Sequence, residues 1–339
     1  MADLLTLGII GCGYWGPNLI RNFNSLDGSR VKIVCDTSER RLNHFKILYP
    51  SLQTATDAGV IFSDPDIDAV AVATPVHSHF ALAKQCLLSG KHLFIEKPMA
   101  SSAEQCRELN AIAARKGLTI MVGHTFIYSD PIRKIKEIID AGEIGDIYYF
   151  SSQRLNLGLY QQDINVAWDL APHDISIILH LFGSMPCSIS CQGKAHITPG
   201  IEDVTVLSMD FSDGKFAMVT SSWLDPHKVR KIVVVGSAKM IVYDDIEPIE
   251  KIKIYDKHVE VPNHYDLFGE FAYTYHYGDV RSPYFKMSEP VRNECRHFLD
   301  CINKSEKPLS SGEEGLAVVQ ILEAASASLK KEGAKVFIN

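Results

Sequence analysis

Gly11-Cys12-Gly13-Tyr14-Trp15-Gly16 follows directly on the apolar run of residues 4–10, and Pro17 comes straight after it. Glycines cluster in many loops, so the pattern takes its meaning from its flanks, a buried strand before it and a helix start behind it. In that setting the first glycine permits a tight turn, the second lets backbone approach a pyrophosphate, and the third lets helix and strand pack closely. The helix N-terminus adds N–H donors and the positive end of its dipole. Working outward, residues 31–35, 69–73, 92–95 and 119–122 are further short apolar runs, the pattern of strands covered on both faces. Helix signals separate them: Ser101-Ser102-Ala103-Glu104 is a capping box with Gly117 as the stop, and residues 79–89 end at Gly90. This alternation predicts right-handed crossovers and a doubly wound parallel α/β sheet over residues 1–124.

Asp36 stands at the end of the second apolar run, 20 residues after Gly16. A carboxylate there accepts hydrogen bonds from the adenosine ribose hydroxyls and repels a 2′-phosphate, which favours NAD over NADP. The plainer alternative is a structural turn followed by a helix-capping Asp. Arg40 and Arg41 could each meet a 2′-phosphate or stack on adenine. Thr74-Pro75-Val76-His77-Ser78-His79 follows another buried run and so falls at the carboxyl edge of the sheet, where ligands bind in this architecture. Thr74, Pro75, His77 and His79 are therefore expected to contact the cofactor or cap the next helix. No third ligand is in register with His77 and His79, so no metal is expected there.

After residue 124 the pattern changes. Strand-like runs at 146–155, 187–195, 203–211, 215–223, 231–235 and 239–243 follow one helix at 131–141, with hairpin turns at Ser212-Asp213-Gly214 and Gly236-Ser237-Ala238. Helices return at 169–182, 290–303 and 312–331. Strands in series with few helices mean α+β, so residues 125–339 are read as a second, antiparallel domain. The chain has 339 residues, 46% hydrophobic and 22% charged, which suits two folded domains and excludes a disordered or low-complexity protein. Net charge is −7 with no basic blocks, which disfavours nucleic acid. The absence of a long apolar stretch or a basic apolar leader, with eight dispersed Cys, leads us to expect reduced thiols, no membrane association and a cytoplasmic location. Residues 255–285 hold six of the 13 Tyr, together with His264, Phe268 and His276, a density that fits either stacking on a base or a subunit interface, with the interface preferred.

Two constellations carry chemistry. Glu96-Lys97-Pro98 ends the fourth core strand, and the residue before a proline is held extended, so Lys97 is expected to point into the cleft. In Trp168-Asp169-Leu170-Ala171-Pro172-His173-Asp174, Asp169 and His173 lie one helical turn apart and share a face. With Asp169 as N-cap, its usual N3 partner would be Pro172, which has no N–H. A His near a helix N-terminus would stay neutral and suit a general base.

Together, Gly11–Gly16, Asp36, Thr74-Pro75 with His79, Glu96-Lys97-Pro98 and Asp169 with His173 resemble the Gfo/Idh/MocA oxidoreductase family over essentially the whole length. The resemblance implies an N-terminal Rossmann domain, a C-terminal α+β domain with a large open antiparallel sheet, and a homodimer or homotetramer. It implies that Lys97, Asp169 and His173 form a catalytic triad, and that Gly11, Gly13, Tyr14, Trp15, Gly16, Asp36, Arg40, Thr74, Pro75, His77, His79, Glu96, Lys97 and Trp168 surround NAD. Residues 154–158 and 165–169 look like the branch that oxidises nucleotide-linked N-acetylhexosamines at the 3-hydroxyl, supplying a PLP aminotransferase in surface-polysaccharide or lipid A synthesis. UDP-N-acetylglucosamine is the expected substrate, with its uronate, a free sugar or an inositol as alternatives. A non-catalytic dinucleotide sensor would lack the Lys or the His. His124, Arg154, Asn156 and Tyr160 join Lys97, Asp169 and His173 as expected substrate contacts.

Overall fold

The computed structural model describes residues 4–260 and 273–338. His264 and Phe268 lie outside the described residues. Contacts divide the chain into two compact units, Met1–Ser129 with Ser288–Glu323, and Asp130–Met287 with Ala324–Asn339.

The first unit is built on β1 (Leu5–Ile10), α1 (Gly16–Ser25), β2 (Ser29–Cys35), α2 (Glu39–Leu48), β3 (Gln53–Ala55), α3 (Gly59–Ser63), β4 (Ala69–Val72), α4 (Val76–Leu88), β5 (His92–Glu96), α5 (Ala103–Lys116) and β6 (Ile120–Gly123). The six strands are all parallel, in the order β3-β2-β1-β4-β5-β6. Every residue of β1, β4 and β6 is buried, as their unbroken apolar runs require. The order reverses between β1 and β4, so the loops after those strands flank the switch point where such sheets bind ligands. Gly117 closes α5 with φ 65°, a left-handed conformation that suits glycine. The short β3, with α2 and α3 around it, has too little periodicity to stand out in the sequence.

The second unit contains α6 (Asp130–Asp140), β7 (Ile147–Leu157), α7 (Val166–Phe182), β8 (Ser188–Lys194), β9 (Val204–Asp210), β10 (Phe216–Ser222), β11 (Leu224–Gly236), β12 (Met240–Asp244), β13 (Ile252–Glu260) and β14 (Thr274–Arg281). Two helices follow, α8 (Pro290–Lys304) and α9 (Gly312–Leu329), and then β15 (Val336–Phe337). The nine strands run β14-β13-β12-β11-β7-β10-β9-β8-β15. One pair departs from the expected antiparallel neighbours: β7 and β10 are parallel, because α7 returns the chain before the meander β8-β9-β10 brings it back beside β7. The aromatic segment near residue 275 lengthens the sheet at its edge as β13 and β14. Phe150, Val219, Leu207 and Met209 point to the inner face under α7 and are buried, whereas Tyr149 and Val206 on the other face are 38% and 43% exposed.

The units differ from a division at residue 124. Helix α8 packs on the first unit: Phe298 is fully buried with Phe23 and Phe94, ring centroids 6.2 and 5.7 Å away, and Asn22 donates to Glu289 at 3.0 Å. An aromatic trio of this kind holds a helix in place irrespective of its position along the chain.

Candidate functional site

In the first unit, the residues assigned to a dinucleotide gather at the carboxyl ends of β1, β2, β4 and β5. Gly11 has φ 98°, and a Cβ on it would lie 2.5 Å from the Ala73 carbonyl oxygen. A Cβ on Gly16 would sit 2.0 Å from the Gly11 oxygen, so helix and strand approach as only glycine allows. Around Gly13 the nearest atom to such a Cβ is an Arg41 nitrogen at 4.0 Å, leaving the backbone open to a ligand. Helix α1 begins with no side-chain cap and no acidic residue in its first turn, so no side chain of its own competes with an anion at that end. This cradle fits a dinucleotide pyrophosphate. Tyr14 is 81% exposed beside the half-buried Trp15.

Asp36 does more than the sequence suggested. Its Oδ2 accepts the Cys12 N–H at 2.7 Å and its Oδ1 accepts the Ser38 N–H at 2.8 Å, tying the end of β2 to the glycine loop. Arg41 lies 3.4 Å from Oδ2. Oδ1, with a single donor, keeps a lone pair for a ribose hydroxyl. Burial and the Asp36 charge push the Cys12 thiol up to about 12, which makes it an inert packing group. Arg40 and Arg41 line a cavity of about 520 Å³ with Pro17, Asn18 and His44 between α1 and α2.

Thr74 accepts the Ser78 hydroxyl at 2.7 Å, and Pro75 caps α4 with His77 exposed in its first turn. His79 corrects an expectation. It is buried, with Nε2 2.7 Å from the Thr74 oxygen and Nδ1 2.9 Å from the Pro98 oxygen. It therefore ties the Thr74 loop to the Lys97-Pro98 turn rather than touching a cofactor. Burial holds its pKa below the ordinary value, so the neutral ring donates its single N–H to one of the two carbonyls, according to its tautomer.

Lys97 is half-buried after β5. Its neighbour Glu96 joins Glu294 in a buried pair that the sequence did not reveal. Glu96 is buried and its carboxyl is pushed up to about 7 by desolvation. Glu294 of α8, also buried, is raised well above its ordinary value by desolvation and then by Glu96; its Oε2 accepts the Thr125 hydroxyl at 2.7 Å. A Cβ on Gly123 would come 2.9 Å from Glu96 Oε2, so that glycine makes room for the carboxyl. His124 is buried, with neither ring nitrogen hydrogen-bonded among the described residues, and desolvation with the Lys97 charge lowers it to about 3. Glu294 is 169 positions from Thr125, beyond the reach of any local pattern.

In the second unit, α7 starts earlier than expected. Asn165 is the N-cap, its side chain accepting the Trp168 N–H at 3.1 Å. Asp169 is thus no cap, and its Oδ2 accepts the indole N–H of the buried Trp223 at 3.1 Å. His173 follows one turn later on the same face, and both are half-buried. Eight residues into α7, His173 lies beyond the reach of the helix terminus, which corrects the expected dipole effect. The Tyr160 ring lies 5.3 Å from Trp223, and a Cβ on Gly158 would come 3.0 Å from both Trp223 and Asn156. Trp223 is therefore the centre of this cluster, a role with no sequence signature. Trp168 donates from its indole to Ser326 at 2.8 Å. Arg154 corrects a further expectation: it is buried, with Nε 2.8 Å from Asp174 Oδ2 and Nη2 3.2 Å from Oδ1. The pair joins β7 to α7, and its guanidinium is engaged by protein rather than offered to substrate.

A six-stranded parallel sheet with this glycine cradle and acidic strand end defines a dinucleotide-binding Rossmann domain. Residues 5–124 match the model described as oxidoreductase family, NAD-binding Rossmann fold, and residues 132–242 match the GFO/IDH/MocA C-terminal domain. The chain belongs to the Gfo/Idh/MocA oxidoreductase family. It is 24% identical to the scyllo-inositol 2-dehydrogenase (NADP(+)) IolW of Bacillus subtilis, over 97% of this chain and 95% of that one. Three further relatives align over only 60–64% of this chain and 58–62% of their own length. Among solved structures, GenD2 of gentamicin A biosynthesis in complex with NAD superposes with TM-score 0.83 at 20% identity, covering 100% and 97% of the two chains. The UDP-N-acetylglucosamine 3-dehydrogenase GnnA of Acidithiobacillus ferrooxidans gives 0.78 at 21%, covering 97% and 98%. No helix among the described residues is long and apolar enough to cross a membrane.

Proposed function

We propose that the chain oxidises the 3-hydroxyl of a UDP-N-acetylhexosamine, UDP-N-acetylglucosamine foremost, to the 3-keto sugar. The observation that carries this reading is the Asp169–His173 pair of α7, with Asp169 fixed by Trp223, in a chain whose NAD-binding unit carries Lys97 directly after β5. Bound NAD supplies the hydride acceptor. His173 takes the hydroxyl proton, and the Lys97 ammonium polarises the same oxygen and stabilises alkoxide character. Asp169 orients the pair. Asn156 and Tyr160, beside Trp223, supply a polar group and an aromatic face for the sugar. Tyr149 and Val206 on the open sheet face support association with a second copy of the chain, as a homodimer or homotetramer.

The test is a panel of UDP-sugars, inositols and free glucose with NAD, with and without 2-oxoglutarate, followed by NADH. Turnover of UDP-N-acetylglucosamine is expected, lowered in kcat about a hundredfold or more by Lys97→Met and by His173→Asn. Turnover of inositol or glucose alone would overturn the substrate, and full activity in His173→Asn would remove it as the base.

A further inference from the structure

Away from both clusters, the outer edge of the nine-stranded sheet brings together Asp256 and His258 of β13 and His276 of β14. In the antiparallel register His258 stands directly opposite His276, and the register shifts between Tyr255 and Lys257, where Asp256 sits. The two imidazoles stack with centroids 4.6 Å apart and planes 25° from parallel. Asp256 Oδ2 lies 3.2 Å from His276 Nε2. Its carboxylate occupies space that a side chain at Gly278 would fill: a Cβ there would come 2.3 Å from Oδ2. His258 Nε2 lies 3.3 Å from Glu260 Oε1, and its Nδ1 is buried without a hydrogen-bond partner among the described residues. One ligand atom from each of Asp256, His258 and His276 lies within 4.8 Å of the other two.

We propose that Asp256, His258 and His276 bind a divalent transition metal of the zinc type, with solvent completing a tetrahedral shell and the ion clipping edge strand β14 to β13. Two imidazoles and one carboxylate select zinc, nickel or copper over magnesium and calcium, which prefer oxygen donors. Bonds of about 2.0–2.2 Å place tetrahedral ligand atoms about 3.4 Å apart, so from within 4.8 Å the stacked rings turn to aim one nitrogen each at the ion. Glu260 against one nitrogen of His258 is the carboxylate–histidine support that fixes a metal ligand's tautomer. Linear spacing conceals the site, because its two histidines come from opposite strands of a hairpin.

The experiment is calorimetric titration of the full-length chain, stripped with EDTA and dialysed, with zinc chloride near pH 7.5. One zinc per chain is expected. Asp256→Asn, His258→Gln and His276→Gln each weaken binding about tenfold or more, as does Gly278→Ala, which keeps every ligand but displaces the carboxylate. Binding weakens as pH falls below about 6.5, where the imidazoles protonate, and magnesium chloride gives no binding. A native chain that takes up no zinc, or zinc binding unchanged in the His258→Gln/His276→Gln double variant, would overturn the proposal and leave only an ion pair beside stacked rings.

Discussion

Glu96 and His124 titrate in opposite directions because burial acts on charges of opposite sign. Glu96 keeps its proton in the folded chain up to about 7, whereas the unfolded chain releases it near 4.5. The native state therefore holds the extra proton across that window, and stability falls as pH rises through it, by about 3 kcal/mol from this group. His124, held near 3 when folded, works the other way: its contribution is present above 6.5 and is lost as pH falls toward 3. Because His124 offsets Glu96 below about 6.5, urea unfolding of the cofactor-free chain should show a stability decline between about pH 6.5 and 8 that is flattened in Glu96→Gln. An unchanged decline in that variant would contradict the buried, protonated carboxyl. The sequence pointed to Glu96 through its neighbour Lys97, but its environment depends on Glu294 and Gly123, which only folding brings near.

Helix α7 illustrates what can be read at the level of an element. The Asp169–His173 spacing was legible, since a continuous helix sets them on one face. The start was not: Asn165 and Asp169 are both good caps, and Asn165 prevails because its side chain reaches the Trp168 N–H and Glu202 at 2.8 Å. Asp169, released from capping, meets Trp223 instead. On another face Asp174 anchors α7 to β7 through Arg154 and the Ser152 hydroxyl at 2.6 Å. Removing one partner strands a buried charge, so Arg154→Met should lower stability by about 3–5 kcal/mol. KM for the sugar nucleotide in the folded variant should stay within about twofold, since ordinary substitutions away from the substrate change binding little. A stable variant with a raised KM would return Arg154 to the substrate.

At the scale of the whole chain, the parallel half was legible because buried strands read as unbroken apolar runs and the glycine cradle marks its ligand edge. The second half was legible in its hairpins, while the parallel β7–β10 pair was not, because pairing across a helix leaves no local mark. Nor could sequence assign α8 to the first unit, a placement that rests on Phe298 meeting Phe23 and Phe94. The central claim, removal of hydride from C3 of a nucleotide-linked N-acetylhexosamine, is tested most directly with UDP-N-acetylglucosamine carrying deuterium at C3. Mass spectrometry of the reduced cofactor should find NADH one mass unit heavy, with oxidation slowed in Lys97→Met. Unlabelled NADH, or none formed, would contradict it.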